Sequence, residues 1–407
     1  MRPRARIHCL VALLVVAASC GSAESETTTT SPSTTVQPVA SSTTSTVPAV
    51  SGEPVAVGVL THSSQNSVLE EIEKYVNTQR RGVGGRPLVL LECQVTQDKK
   101  LSDCADEFAQ KDVYAIVATD DGVGTLSALE ELAQTTPVVV ANPVGVSVLV
   151  SQGVTAITPG MPGLMLSLAI MATGQLTGEN KSISVVHSGS EQSNSIFASI
   201  VRPVLVKSGV RVENISEVVV PDDATSDEVV ELLTDAGITS SAVIADVAGN
   251  SCSGFTNWVN SLTTQPVVLA VDACALSNSK RETENWFVAR YGNDFTNVRD
   301  SEFGKRSWVS SYREGIRAAV LAVVDLLNER TERNLSVAEV KAGFNASIEN
   351  IRGFSQAPQC ALVLSYVALC TTQVGLSQVK NGELIDVRGG TTGNPIELFT
   401  EIQPSGS

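Results

Sequence analysis

From Val55 onward, short apolar runs alternate with segments whose apolar residues recur every three or four positions. Val55–Leu60 reads as a strand. The segment after it places Val68, Leu69, Ile72, Tyr75 and Val76 on one helical face. Ser67-Val-Leu-Glu70 has capping-box spacing and predicts the start of that helix. Strands follow at 87–92, 113–118 and 137–141, with helices over 102–110 and 125–134 between them. These strands are nearly continuous Val, Ile and Leu. Such runs suit strands covered on both faces, so they predict a parallel sheet with helices on each side.

A segment from Ala156 leads into a helix over 164–176, and the alternation then restarts. Strands are expected at 182–187, 218–220, 242–245 and 267–271. The helices between them are expected over 193–207, 226–236 and 255–262. Pro203 should kink or shorten the first of these, because proline has no N–H for the helical ladder. A third portion begins at Trp286-Phe-Val-Ala-Arg290, and its long helix over 311–330 resembles material of the first set more than a third domain. Further strands are expected around 361–369 and 383–387. The predicted fold class is α/β, with two doubly wound parallel-sheet lobes.

The ends add a setting. Arg2, Arg4 and Arg6 precede an apolar run, Leu10–Ala18, that is too short to span the ~30 Å hydrocarbon core. Small residues then lead to Cys20. This is the pattern of an export signal, and Ala17-Ala18-Ser19-Cys20-Gly21 resembles a bacterial lipobox. In that reading, residues 1–19 are the signal and Cys20 carries the lipid. Residues 20–53 are Thr, Ser and Pro-rich, cannot bury a core, and form a tether. Some 28 residues of such chain reach on the order of 30 Å. The formal charge of −15 argues against nucleic acid as a partner.

Six cysteines remain beyond Cys20: Cys93, Cys104, Cys252, Cys274, Cys360 and Cys370. Many pairings are open to them. Nearness in sequence favours 93–104, 252–274 and 360–370. Neither Cys-x-x-Cys nor histidines at ligand spacing occur, so no metal or other cofactor is expected. Metalloprotease, nucleophile-elbow and phosphate-loop motifs are also missing, which argues against an enzyme. Two glycine clusters were weighed. Gly122-Val-Gly124 follows a strand, but Ser127 stands where a dinucleotide fingerprint needs its third glycine. It is read as a helix N-terminus open to a carboxylate or hydroxyl. Gly82, Gly84 and Gly85 precede a strand instead, so they read as a helix C-cap and turn.

The stretch "YVNTQRRGVGGRPLVLLECQ" resembles the helix–turn–strand of type I periplasmic solute-binding proteins, the group of the leucine/isoleucine/valine-binding proteins. Asn77, Gly82, Gly85, Arg86 and Leu88 carry that likeness. The strand at 113–117, the strand ending at His187, Thr225–Asp227 before a helix, and Tyr312 opening the long helix are further echoes. The resemblance implies a clamshell: lobe 1 over 54–175 and 288–352, and lobe 2 over 176–287 and 353–402. Crossovers would lie near 172–180, 284–291 and 352–358. It implies a monomer that captures a small polar ligand, an amino acid or related compound, for an ABC permease. A surface sensor with the same fold is the alternative.

By position, the resemblance implies ligand contacts from Thr61, His62, Ser63 and Ser64 after the first strand. Thr119, Asp120 and Asp121 follow from the third-strand loop, and Asn142 from the loop after that. The second lobe would offer His187, Ser188, Gln192, Asp246, Asn250 and Asp272, with Asp272 holding the ligand's ammonium. Departures from the family pattern are a missing glycine-proline pair after the first strand and Gln192 where an aromatic is usual. Asp120 and Asp121 would repel a ligand carboxylate unless they face solvent.

Overall fold

The computed structural model describes residues 50–176, 181–277, 282–291, 311–330, 334–346, 359–361, 363, 365–370 and 374–387. The signal, Cys20, nearly all of the tether and the crossover near 352–358 lie outside them.

The first sheet grows from simple alternation. Its elements are β1 (Val55–Thr61), α1 (Asn66–Gln79), β2 (Leu88–Gln94), α2 (Leu101–Gln110), β3 (Ala115–Asp120), α3 (Leu126–Leu132), β4 (Val138–Asn142), α4 (Val146–Val150) and β5 (Thr155–Ala156). The strand order is β2-β1-β3-β4-β5, and every pairing is parallel. Every residue of β3 and β4 is buried, which is why those strands carry no polar alternation.

The second sheet follows α5 (Gly160–Gln175). It comprises β6 (Ile183–Ser188), α6 (Glu191–Ile196), α7 (Arg202–Lys207), β7 (Ile215–Val220), α8 (Ser226–Asp235), β8 (Ala242–Asp246), α9 (Gly249–Ser261), β9 (Val267–Val271), α10 (Asp272–Ser277) and β10 (Phe287–Tyr291). After α11 (Ser311–Glu329) and α12 (Val337–Ala346), β11 (Val374–Lys380) and β12 (Glu383–Asp386) return to it. Its order is β12-β11-β10-β9-β8-β6-β7, with β11 antiparallel to both its neighbours. Asn381 and Gly382, at φ 53° and 72°, make the two-residue turn whose twist suits a hairpin. The α/β class and the doubled parallel sheets agree with the sequence expectation.

Helix α11 lies on β3 and β4 of the first sheet, burying Ile316, Ala319, Val320 and Val323 with Val117 and Val139. Helix α5 is buried on nearly every side and packs on β8, β9 and β10 of the second sheet. The sequence division puts α5 with the first lobe. It also puts a crossover near 284–291, where the chain forms strand β10 beside β9.

Local differences have physical causes. Helix α1 starts at Asn66 without a side-chain cap, so the Ser67–Glu70 box does not form. Instead Glu92 Oε1, on β2, accepts from Gln65 N at 2.7 Å. Pro203 does not end its helix. It has no N–H for the Ser199 carbonyl, and the chain widens into a π turn over Phe197–Val201 between α6 and α7. The expected strand at 361–369 is mostly turn, with one bridge from Leu369 to Ala156 of β5.

The glycine run behaves as a cap and turn. Gly82 N donates to Val76 O at 2.9 Å with φ +72°, and a Cβ there would collide with Arg86 O. Gly84 and Gly85 then turn the chain between Val83 and Arg86. The three disulfides are Cys93–Cys104, Cys252–Cys274 and Cys360–Cys370. The first ties β2 to α2, and the second ties α9 to α10.

Candidate functional site

Parallel strands end on the same side of their sheet, so the loops after β1, β3 and β4 gather at one edge. Asp120 and Asn142 are register partners there, as His187 and Asp246 are in the second sheet. A link from α11 completes the first edge. Tyr312 donates its hydroxyl to Asp120 Oδ2 at 2.8 Å. His62 Nε2 lies 3.0 Å from Asp120 Oδ1, which also accepts from Gly122 N at 2.9 Å. The hydrogen bond and charge of Asp120 hold the His62 pKa above its ordinary value, against the opposing effect of burial. Burial and the Asp120 charge push the Tyr312 hydroxyl pKa upward. Asn142 Nδ2 donates to Thr119 O and Tyr312 O, both at 2.9 Å. Gly315, one turn further along α11, lets the helix approach this closely; a Cβ there would collide with Asn142 Oδ1.

Asp121 does not face solvent freely. Its carboxylate accepts from Val144 N at 2.5 Å and Gly145 N at 3.2 Å, fixing the turn into α4. Burial raises its pKa to about 6 despite those bonds. Asp120 is likewise buried, accepting from Gly122 N and from the Tyr312 hydroxyl. Thr61 is buried and donates to Glu92 Oε1 at 3.0 Å. Ser63 and Ser64 are exposed, and their side chains accept from Gln65 Nε2 at 3.3 Å and Asn66 N at 3.5 Å.

The second edge is a chain of hydroxyls ending on a carboxylate. Ser188 Oγ lies 3.0 Å from both Ser190 Oγ and Ser193 Oγ, and its single proton goes to one or the other. Ser193 Oγ donates to Asp246 Oδ2 at 2.9 Å. Burial raises the Asp246 pKa, with the Ser193 bond opposing. Ser190 also caps α6, accepting from Ser193 N at 3.2 Å. Asp272, 4 % exposed, opens α10, and Asn250 is exposed in the first turn of α9. His187 is 1 % exposed, lies between Ser188 O (2.8 Å) and Glu217 Oε1 (3.1 Å), and stacks on Phe197. The two edges meet at Gln192: a Cβ on Gly145 would lie 3.5 Å from Gln192 Cγ.

Tyr312, Ser193 and Glu92 were not among the expected site residues. Tyr312 had a signal as the opening residue of a long helix, and Ser190 with Ser193 has helix-cap spacing. Glu92 lies near the carboxyl end of β2, where no local motif marks it. Among the described residues, no group of three or more His, Cys, Asp or Glu is placed to hold a metal. No described helix is long and apolar enough to cross a membrane.

No protein-family model and no curated protein sequence matches the chain. Solved structures do. An ABC transporter substrate-binding protein from Desulfitobacterium hafniense, in complex with Leu, is 15% identical; the match covers 82% of this chain and 100% of that one, with a TM-score of 0.61. A possible leucine/isoleucine/valine-binding protein from Rhodopirellula baltica is 11% identical, covering 84% of this chain and 98% of the other at TM-score 0.63. A solute-binding protein from R. palustris, in complex with benzoate, is 14% identical, covering 84% and 96% at TM-score 0.60. At these identities the likeness is one of fold, and the chain has the type I periplasmic binding protein fold.

Proposed function

We propose that this chain is an extracytoplasmic solute-binding protein, anchored through lipidated Cys20, that takes a small polar ligand between its two sheets and presents it to an ABC permease. It carries out no covalent chemistry. One observation carries the reading: polar loops at the carboxyl ends of strands in both sheets come together where Gln192 meets Gly145. A ligand between them would meet His62 and Asp120 on one side, and Ser188, Asp246 and Asp272 on the other. Buried carboxylates on both sides favour a ligand bearing an ammonium group, since a charge-assisted bond in a closed cleft is the stronger kind. Hydroxyls and backbone N–H groups would hold its remaining polar atoms.

A thermal-shift screen of amino acids, small amines and amides on the mature protein tests this. A hit raises the melting temperature in proportion to the logarithm of its concentration, because a ligand that binds only the folded state stabilises it by mass action. No shift across a broad screen, at ligand concentrations well into the millimolar range, would sink the proposal.

A further inference from the structure

Strand β2 is the outer strand of the first sheet. Val55 N donates to Pro87 O at 2.7 Å and Val95 N to Thr61 O at 2.8 Å. The odd-numbered peptide groups of β2 therefore turn toward β1, and the even-numbered ones turn outward. Helix α1 covers the first part of that outward row. Asn77 Oδ1 accepts from Leu88 N at 2.7 Å while Asn77 Nδ2 donates to Leu88 O at 2.9 Å. Glu73 Oε2 accepts from Leu90 N at 3.0 Å. Glu73 and Asn77 stand one helical turn apart, so they replace a neighbouring strand over that stretch.

The cover stops there. The Leu90 carbonyl and the Glu92 N–H come next in the outward row and meet no neighbouring strand among the described residues. They open on a groove of about 490 Å³ that crosses the sheet edge between α1 and α2. Leu69, Leu91 and Phe108 form its apolar surface. Glu70, Glu73 and Glu107 stand around it, against Lys111 from the same lining. Lys99 pairs with Glu107 at 2.7 Å from outside.

The geometry points to a docking site for a short extended segment of another protein, one that carries Lys or Arg beside an aliphatic residue. A partner residue running parallel to β2 donates its N–H to Leu90 O and accepts from Glu92 N–H, the bonding of one residue in a parallel ladder. Its aliphatic neighbour enters the groove, and its cations meet the glutamates. Glu73 and Asn77 block any longer pairing, so the contact stays short. A second copy of this chain is disfavoured as occupant, because its edge brings the same acidic side chains.

The test uses two capped pentapeptides with the full mature protein, one alternating Lys and Val, the other alternating Glu and Val. The basic peptide should bind saturably and slow exchange of the Glu92 amide by about tenfold at saturation, as a newly bonded amide requires. Reversing Glu70→Lys with Glu107→Lys, both exposed positions, should weaken binding about tenfold or more, and the acidic peptide should not bind. The inference is overturned if neither peptide binds, if both bind alike, or if the basic one binds while Glu92 exchange and the charge-reversed variant show no change. Ligand capture in the cleft does not enter this test.

Discussion

Tyr312 donates to Asp120 at 2.8 Å across 192 positions of sequence, joining the start of α11 to the carboxyl end of β3. The bond sets the first turn of the helix against the strand ends, and Asn142 reinforces it by donating to the Tyr312 carbonyl at 2.9 Å. Tyr312→Phe keeps the ring and deletes the donor. Asp120 is buried, so the loss should cost about 1.5–3 kcal/mol, as for hydrogen bonds to charged groups. Urea unfolding of the two proteins measures it; a cost below about 0.5 kcal/mol would mean the bond does not hold the helix.

Gly315 makes that approach possible. Adding a Cβ drives it into Asn142 Oδ1, and the buried amide has little room to move. Gly315→Ala should therefore destabilise by about 1–3 kcal/mol, the cost of overpacking. Gly174, near the end of α5, has nothing within 4 Å of the same added atom. Gly174→Ala should be neutral or stabilising by about 0.5 kcal/mol, from helix propensity alone. Thermal unfolding of the pair separates the clash from the propensity.

The pH dependence has a definite sign. Asp121 titrates near 6 when folded against its ordinary 3.8, so the folded state holds that proton more tightly. Its contribution is full below about pH 3.8 and is lost as pH rises through 6. Buried Asp246 is raised in the same direction. His62 is raised above 6.5, so its contribution is full below that value and fades as pH climbs through the folded pKa. Glu228 and Glu339, whose pKa values are lowered by their helix-capping bonds, act oppositely at acid pH and are fully solvated. Between pH 4 and 6, the stability of Asp121→Asn measured by urea unfolding should rise relative to that of the parent chain, because the parent alone loses the Asp121 contribution. An identical pH profile in both proteins would contradict the burial of that carboxyl.

Cys252 and Cys274 join neighbouring helices and are fully buried. Replacing both by alanine lifts a constraint on the unfolded chain, and should cost about 2–4 kcal/mol. Mass spectrometry of the unreduced chain, digested with protease, checks the three pairings directly. Any linkage other than Cys93–Cys104, Cys252–Cys274 and Cys360–Cys370 would contradict the fold described.

Much of the scaffold was legible in sequence because β1, β3, β4, β8 and β9 are covered on both faces, and burial leaves a run of Val, Ile and Leu. The cap and turn at Gly82–Gly85 was legible because φ > 0 selects glycine. Shorter elements were not. Helix α4 is five residues and β5 only two, too few for any period to emerge. The start of α1 was misread because its capping carboxylate comes from Glu92, on another strand. Likewise, a strand-end position told which loops could line the site, yet not which way each side chain turned. His187 and Ser188 are adjacent, and only Ser188 joins the hydroxyl chain to Asp246. Partners such as Tyr312, brought by a distant helix, leave no local signal of what they touch.

The proposed cleft is tested most directly by calorimetric titration of the best ligand from the thermal screen against the parent chain, Asp120→Asn and Asp272→Ala. The two positions belong to different sheets. The account predicts that each substitution weakens binding by at least about tenfold, since each removes a charge-assisted contact worth about 1.4 kcal/mol or more. Binding that is unchanged in both variants would place the ligand somewhere other than between the sheets.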